Sequence, residues 1–501
     1  MSSYSDERSA CSNNMERFNL VDQVMDEMGL GRFHILLFLL ASLGYFVEAA
    51  EMSILSLLYP QFLVEWNVEQ TELSIIGSLT GVGMILGTGF FGRLADNAGR
   101  KVVYQISLSL CIIIGFFSSY ATNVDQFAVM RMFLGFAYGG NIVSSSTLLL
   151  ENSPSIYRGY LSGLLQFAFA FGQLFVIIVS WIFMDSLGWA WVVRIISLVG
   201  TPVLVGLFFM PGSVRFYIIN EQYDKAYDAV ISMCNRNGSP VPSYFTLENL
   251  AGINTKEIRV EKNICIDLSN LFGERSLRTV LVPLMSVWML NAFGHGLNSF
   301  LPVELKAVLG GEFIQYKIAL AQAVGAFIGA FVVSYVSTRM KRITELRLGL
   351  SILAFCVFSF SFLAEHVFLL IFFVMIESVG VGLTFHVLYT YTPEVFPTSI
   401  RVTAFSMCQM GNRIAPVFSP FLVTFLSSIS FRLCSIVYSM IFVAALLVTV
   451  FLRTETFNQK MVESHAEQVN SVDDGSDEFE LSRRCASSSS IDLQQDDLAV
   501  I

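Results

Sequence analysis

Long apolar blocks alternate with short polar gaps along most of this chain. Residues 33–210 and 279–452 are almost continuously apolar, whereas acidic and basic residues crowd into 1–32, 211–278 and 454–501. A helix that crosses a bilayer needs about 20 mostly apolar residues. Windows of that kind fall at roughly 33–59, 73–92, 102–121, 126–150, 160–183, 189–210, 279–301, 316–336, 346–364, 367–391, 402–427 and 431–452. The pattern predicts an all-α membrane protein of twelve transmembrane helices in two pseudo-symmetric six-helix bundles, 33–210 and 279–453, with Pro60 and Pro302 closing the first and seventh spans. Residues 1–32 read as a cytosolic segment and 211–278 as a cytosolic loop. Within that loop, Glu221 to Arg236 is expected as an amphipathic helix on the membrane face of the bundle, with Tyr223, Ala226, Tyr227, Val230 and Ile231 on its apolar side. The Ser-rich acidic tail, 454–501, has too few apolar residues to fold alone.

Composition agrees with the pattern. Of 501 residues 54% are apolar and 14% charged, too oily for an ordinary soluble domain. Lys and Arg set the orientation. With both termini in the cytosol, every one falls on the inner side except Lys306, Lys317 and Arg432 outside and Arg131, Arg194 and Arg413 within spans. The net charge of −10 comes largely from the tails, and no basic patch interleaved with aromatics suggests nucleic acid. The eight Cys show neither C-x-x-C nor zinc spacing, so they read as reduced, packed thiols. No signal peptide, metal motif or cofactor motif is evident. Without a Walker loop, ATP drive is not expected. No nucleophile–base set suggests an enzyme. The expected partners are the lipid bilayer, a small organic solute and protons, and the expected state is a monomer.

The two halves are related. Glu151-x-x-Pro154-x-x-x-Arg158 returns as Glu394-x-x-Pro397-x-x-x-Arg401, 243 residues on. The segment Gly92 to Lys101 has a worn counterpart in which Ser337 stands for Asp96, Met340 for Gly99 and Lys341-Arg342 for the basic pair. A duplicated six-helix unit of this kind places a substrate site at the midplane between the halves and makes rocking the transport motion.

The segment Gly92-Arg93-Leu94-Ala95-Asp96-Asn97-Ala98-Gly99-Arg100-Lys101 resembles the signature loop of the major facilitator superfamily. Arg131, Gly135, Gly139-Gly140, Glu151 and Arg158-Gly159 resemble the fourth span of its sugar-porter branch, and Tyr391-Thr392-Pro393-Glu394-Val395-Phe396-Pro397-Thr398 resembles the tenth. Val21-Asp22, Gly29-Leu30-Gly31-Arg32-Phe33 and Glu48-x-x-Glu51-Met52 are most similar to carriers related to synaptic vesicle proteins and to the organic-ion and niacin-type carriers. There are departures. The Gln pair that hexose carriers show in the seventh span is Ala292 and Phe293 here, and Pro-Glu-Ser-Pro-Arg after the sixth span is reduced to Pro211-Gly212-Ser213-Val214-Arg215.

Ionisable groups inside a span are costly unless paired or wetted, so each is a functional candidate. Glu48 and Glu51 share one face of the first helix. The resemblance implies proton coupling at Glu51 with Arg131 as its partner and Glu48 beside them. A static ion pair that fixes helix register is the plainer alternative. Gln166, Gln173, Asn291, His295, Asn298, His386 and Tyr389, with Tyr391 nearby, are candidates to line a substrate cavity, although each alone is equally well an interhelical contact. Glu377 has no assigned role, and Arg413 is its possible partner or an anchor. At the inner mouth, the resemblance implies that Asp96, Arg100, Glu151, Arg158, Glu394 and Arg401 form ion pairs between the halves that hold the gate shut. The function expected is a proton-coupled secondary transporter of a small organic solute. The alternatives are an uncoupled uniporter or exchanger and a non-transporting receptor or vesicle protein, in a plasma or vesicle membrane. With cytosolic termini, protease added to sealed right-side-out vesicles is expected to spare the tail beyond Thr454. Cleavage of that tail without permeabilisation would reverse the topology.

Overall fold

In a computed structural model of the protein, the described residues are 20–251, 275–310, 313–363, 366–396, 401–452 and 454–456. Helix dominates them. A short helix, α1 (20–28), precedes α2 (Arg32–Glu65), α3 (Gln70–Ala98), α4 (Arg100–Ser118), α5 (Val124–Glu151), α6 (Arg158–Leu187) and the pair α7 (Trp189–Leu198) and α8 (Thr201–Phe208). Three short helices follow, α9 (Val214–Ile219), α10 (Tyr223–Asn237) and α11 (Leu247–Ala251). The second half holds α12 (Arg275–Gly294), α13 (Gly296–Leu309), α14 (Ile314–Val336), α15 (Arg342–Leu363), α16 (Val367–Val395), α17 (Arg401–Ile429) and α18 (Phe431–Val448). Taking α7 with α8 and α12 with α13 as single spans, these make twelve spans, six in each half.

Eleven helical stretches among the described residues are long and apolar enough to cross a membrane. The twelfth span, α17, is as long as α16 at 29 residues but carries Arg413, Pro416 and Pro420. One face packs on α3 and α12, while Phe418, Phe421 and Phe425 on another are exposed, and a sheltered face tolerates polar residues.

Proline does not close the first and seventh spans as expected, because α2 continues through Pro60 to Glu65 and α13 through Pro302 to Leu309. Packing overrides the lost hydrogen bond in α2. Phe62 stacks on Trp66 with centroids 4.1 Å apart and meets Phe127 and Trp189 edge-on, which holds the last turn in place. The break in the seventh span comes earlier, at His295 between Gly294 and Gly296.

Without a hydrophobic drive between helices in lipid, close approach depends on small residues. In the first half α3 and α5 pack backbone to backbone. A Cβ on Gly83 would overlap the Met132 carbonyl, and one on Gly135 the Thr80 carbonyl. The halves meet along α3–α17, α6–α14 and α2–α13. Tyr59 stacks on Phe300 at 5.1 Å, and Ser74 donates to the Pro420 carbonyl at 3.2 Å; both contacts lie at the end of the bundle away from Arg100 and Arg158. Below, the end that carries those two arginines is called the basic end.

A second apolar cluster caps the basic end of the first half. Val21, Val24 and Met25 of α1 pack with Val230, Met233 and Cys234 of α10 and with Phe245 and Leu250. The buried face of α10 is thus Ala226, Ala229, Val230, Met233 and Cys234, while Tyr223, Tyr227 and Ile231 are only partly buried. The helix rests on α9, α11 and the foot of α2, and α1 supplies a further protein surface that the polar sequence of 1–32 did not suggest. Asn237 ends α10 by accepting from the Phe33 N–H at 2.9 Å. The described cysteines, Cys111, Cys234, Cys356, Cys408 and Cys434, are free and buried; Cys11, Cys265 and Cys485 lie outside the described residues.

The α3–α5 contact gives a direct test. Gly135→Leu should lower the thermal midpoint of the purified protein by several degrees, since overpacking costs about 1–3 kcal/mol. Gly163→Leu, where a Cβ meets nothing within 4 Å, should leave it unchanged. Equal losses would refute the packing account.

Candidate ion-coupling site and gate

α2 carries Glu48 and Glu51 on one face, three residues apart. Arg131, one turn or two into α5, places Nη1 3.2 Å from Glu51 Oε2 and also donates to the Glu51 carbonyl at 3.1 Å. Ser197 of α7 donates to Glu51 Oε1 at 2.6 Å. The Arg131 guanidinium lies 4.8 Å from the centre of the Phe127 ring. Both side chains of the pair are 1% exposed. The room for this cluster comes from Gly115 of α4, where a Cβ would lie 2.8 Å from Glu51 Oε1 and crowd Ser197 Oγ. Four helices thus converge on one carboxylate. Removing one partner of such a buried pair strands the other, at a cost of about 3–5 kcal/mol.

Glu48 sits apart from Arg131. Its Oε2 accepts from Asn141 Nδ2 at 2.9 Å, and Asn141 also donates to the Gly44 carbonyl at 3.1 Å. Its Oε1 is buried without a hydrogen bond among the described residues. Arg413 belongs to the opposite half, on α17. Arg413 Nη1 reaches Met84 Sδ of α3 at 3.6 Å. Arg413 therefore faces the first half and is not the partner of Glu377, whose Oε1 instead accepts from Asn298 Nδ2 at 2.8 Å.

The expected cavity residues are scattered. Asn298 pairs with Glu377, and its carbonyl accepts from Gln322 at 3.2 Å. His295 stacks on Phe385 at 5.1 Å and meets Phe442 of α18 edge-on, with both ring nitrogens buried. It packs at the kink of the seventh span against aromatic rings. Asn291 is buried, and neither of its polar side-chain atoms has a partner among the described residues. Gln166 is exposed and Gln173 half-buried. Tyr389 meets Trp288 edge-on at 5.1 Å. His386 and Tyr391 belong to a different network. His386 Nδ1 is 3.3 Å from Glu345 Oε1 of α15, and the Tyr391 hydroxyl donates to the Thr454 carbonyl at 2.7 Å. Helical spacing put these residues on shared faces but could not say which neighbour each face meets.

At the basic end the duplication appears in three dimensions. In the first half Arg100 lies 3.4 Å from Glu151, donates to the Ala95 carbonyl at 2.8 Å, and Glu151 accepts from the Ser213 hydroxyl. In the second half Arg342 lies 3.5 Å from Glu394, donates to the Ser337 carbonyl at 3.0 Å, and Glu394 accepts from the Thr456 hydroxyl at 2.6 Å. Arg342 therefore answers Arg100, and Ser337 answers Ala95 rather than Asp96, a register one residue from the one expected. Asp96, near the end of α3, pairs with Arg100 at the start of α4, 3.4 Å away, with its side chain 75% exposed. Arg158 donates from Nε to the carbonyls of Leu150 and Ser153 and from Nη2 to Asp22 at 2.7 Å. Among the described residues each of these ion pairs lies within one half, not between halves as expected. The halves touch at the far end and along their seams, so the mouth charges find partners locally. The side chain of Arg401 lies outside the described residues.

Sequence reading missed Asn141, Ser197 and Gly115, which carry no charge to flag them. It also missed Glu345 and Glu455. Glu455 accepts from the backbone N–H groups of Arg342 and Ile343 at the start of α15.

Comparison with known proteins fits this geometry. The family model "Sugar (and other) transporter" matches residues 41–467. The chain is 28% identical over 470 residues to synaptic vesicle 2-related protein of Pongo abelii, covering 89% of this chain and 82% of that one. It is 28% identical over 421 residues to the putative niacin/nicotinamide transporter NiaP of Bacillus subtilis, covering 81% and 92%. Its fold matches the inward-open xylose transporter XylE from E. coli with a TM-score of 0.68 at 16% identity, over 86% of this chain and 98% of that one.

The fit around Glu51 leads to a double-mutant test. Gly115→Ala should push Ser197 off Glu51 and forfeit a charge-assisted hydrogen bond of about 1.5–3 kcal/mol. Ser197→Ala removes the same bond. Unfolding midpoints should show the double variant losing clearly less than the sum of the singles, and strict additivity would show that Gly115 does not serve the Glu51–Ser197 contact.

Proposed function

The chain belongs to the sugar (and other) transporter family of the major facilitator superfamily, and from that premise we propose that it carries a small organic solute by alternating access, driven by protons that Glu51 takes up and releases. It is a multi-pass membrane transporter rather than an enzyme. The observation that carries the proposal is the Glu51–Arg131 pair, buried where α2, α4, α5 and α7 meet. A carboxylate within a low-dielectric wall stays ionised only while a cation answers it. Rocking that draws Arg131 away obliges Glu51 to bind a proton on one side, and return of the guanidinium expels that proton to the other. Arg131 supplies charge without itself titrating.

The basic end faces the cytosol in this reading, as its arginines favour, and the protein works as a monomer in a plasma or vesicle membrane. Glu48, Asn141, Tyr389 and Arg413 lie on the two sides of the seam where the solute sits. The relatives are named for niacin, nicotinamide and xylose, all small polar organic solutes. The absence of the Gln pair at Ala292 and Phe293 speaks against a hexose. When the inner mouth closes, the networks around Arg100–Glu151 and Arg342–Glu394 approach each other and exchange local for cross-half partners.

A second reading has its own support. Ser197 and Gly115 fit Glu51 so closely that the pair suits a static brace in an uncoupled uniporter. One experiment separates the two. Protein in liposomes is offered nicotinate, nicotinamide and pentoses with and without an imposed proton gradient. The wild type should concentrate its solute only with the gradient. Glu51→Gln should lose that accumulation about tenfold or more and keep solute exchange. Accumulation by Glu51→Gln that a protonophore still abolishes would move the coupling role to Glu48. Wild-type uptake indifferent to the gradient would establish the uniporter.

A further inference from the structure

We infer that Asp22, on the short helix ahead of the first span, is a positioning residue of the inner gate, neutralising Arg158 and Arg215 so that Glu151 stays with Arg100. The inference rests on the alternating-access reading above.

The contacts are specific. Asp22 Oδ1 lies 2.7 Å from Arg158 Nη2, and Asp22 Oδ2 lies 2.7 Å from Arg215 Nη2, which also reaches Oδ1 at 3.0 Å. One carboxylate thus holds two guanidiniums through charge-assisted bonds. The three side chains are about one-quarter exposed, at 24%, 25% and 28%, so solvent screens the cluster only in part.

The placement of α1 is not incidental. One turn on, Asp26 accepts from the Ser155 N–H at 2.6 Å and from the Ser155 hydroxyl, at the turn between α5 and α6. Residues i and i+4 share a helix face, so both carboxylates address that turn. Val21, Val24 and Met25 are 0–1% exposed against the α10 cluster. Gly29, with φ of +64°, and Gly31 then join α1 to α2, which carries Glu48 and Glu51.

The repeat explains why the first half needs an outside carboxylate. In the second half Glu455 stands beside Thr456, one residue before the hydroxyl that meets Glu394, and it caps α15. The matching position before Ser213 is Gly212. The first half has therefore lost an acid at its gate while keeping Arg100, Arg158 and Arg215. Asp22 restores the charge from a different element. Arg158 also opens α6, whose Phe167 packs on Phe331 of α14 at 4.9 Å. Beyond the end of α14 come Arg339, Lys341 and Arg342. When the inner mouth closes, surplus positive charge on the first half would face these bases and oppose closure.

The test uses the full-length protein in nanodiscs with spin labels at Asn97→Cys and Thr338→Cys, both exposed at the inner mouth on opposite halves. In the wild type, the distance distribution should contain open and closed populations. Asp22→Asn should raise the open-to-closed ratio about two- to fivefold, and the effect should shrink at high salt. Asp22→Glu should stay near wild type. Asp22→Asn combined with Arg215→Gln should return toward wild type, because the surplus cation is gone. A double variant that opens further than Asp22→Asn alone would reduce Asp22 to a docking contact and overturn the inference. So would two wild-type populations that Asp22→Asn leaves unchanged. A single wild-type population under all conditions would instead remove the alternating-access reading, and the inference with it.

Discussion

Everything in the first half is arranged around a charge that has no business in a bilayer unless it is answered. Glu51 is buried among four helices, and its two oxygens are taken by Arg131 and Ser197. A lone carboxylate there would cost several kcal/mol. The pair therefore dictates its neighbourhood: α4 must present a glycine at position 115, α5 must bring its arginine past Phe127, and the sixth span must aim a serine inward. The tight α3–α5 packing at Gly83 and Gly135 serves the same end, since it holds the helix bearing Arg131 in depth and rotation. A pair so completely enclosed is stable only in one arrangement of the four helices. That is the property a coupling device requires, because any motion of α5 against α2 is felt at once as an uncompensated charge.

The two ends of the bundle are built by different means. At the far end the halves are joined by neutral contacts, with Tyr59 on Phe300 and Ser74 on Pro420 and Thr424. At the basic end each half closes on itself through an Arg–Glu–hydroxyl set repeated across the duplication. Local pairs of this kind have little to lose when the halves separate and can be exchanged when they approach. Buried neutral contacts and partly exposed ion pairs thus occupy opposite ends of the bundle, and only the second are sensitive to charge balance.

Much of the fold was legible because the bilayer enforces a coarse code. Long apolar windows, the inner bias of Lys and Arg, and the repeat of Glu151 to Arg158 at Glu394 to Arg401 each report a constraint that acts on every residue of a segment. The Glu51–Arg131 pair was legible for the same reason, since an intramembrane charge seeks its opposite. What stayed hidden depends on helix rotation and on neutral side chains. His295 and His386 look alike as polar residues in spans, yet one is stacked on Phe385 and the other is bound to Glu345. The helical run through Pro60 was hidden because its cause is the aromatic group of Phe62, Trp66, Phe127 and Trp189, brought together from three helices. The role of α1 was hidden because its partners, Arg158 and Arg215, lie 136 and 193 residues away.

The repeat also shows how a duplicated unit can diverge while keeping its hydrogen-bond geometry. Arg100 and Arg342 make the same backbone contact five residues upstream, and Glu151 and Glu394 each receive a hydroxyl from the segment after the last span of their half. Those shared features neutralise the arginine nearest the mouth. Around them the halves solve the remaining charge separately: the second with Glu455 at a helix N-terminus and Glu345 beside His386, the first with Asp22 bridging Arg158 and Arg215. The hydrogen-bond geometry at the basic end is therefore held in common, while the acids that balance its net charge come from whatever element each half has to hand. Substitutions at the shared set should disturb geometry in both halves alike, whereas substitutions at the balancing acids act on one half and chiefly through charge, which is why salt distinguishes the two classes.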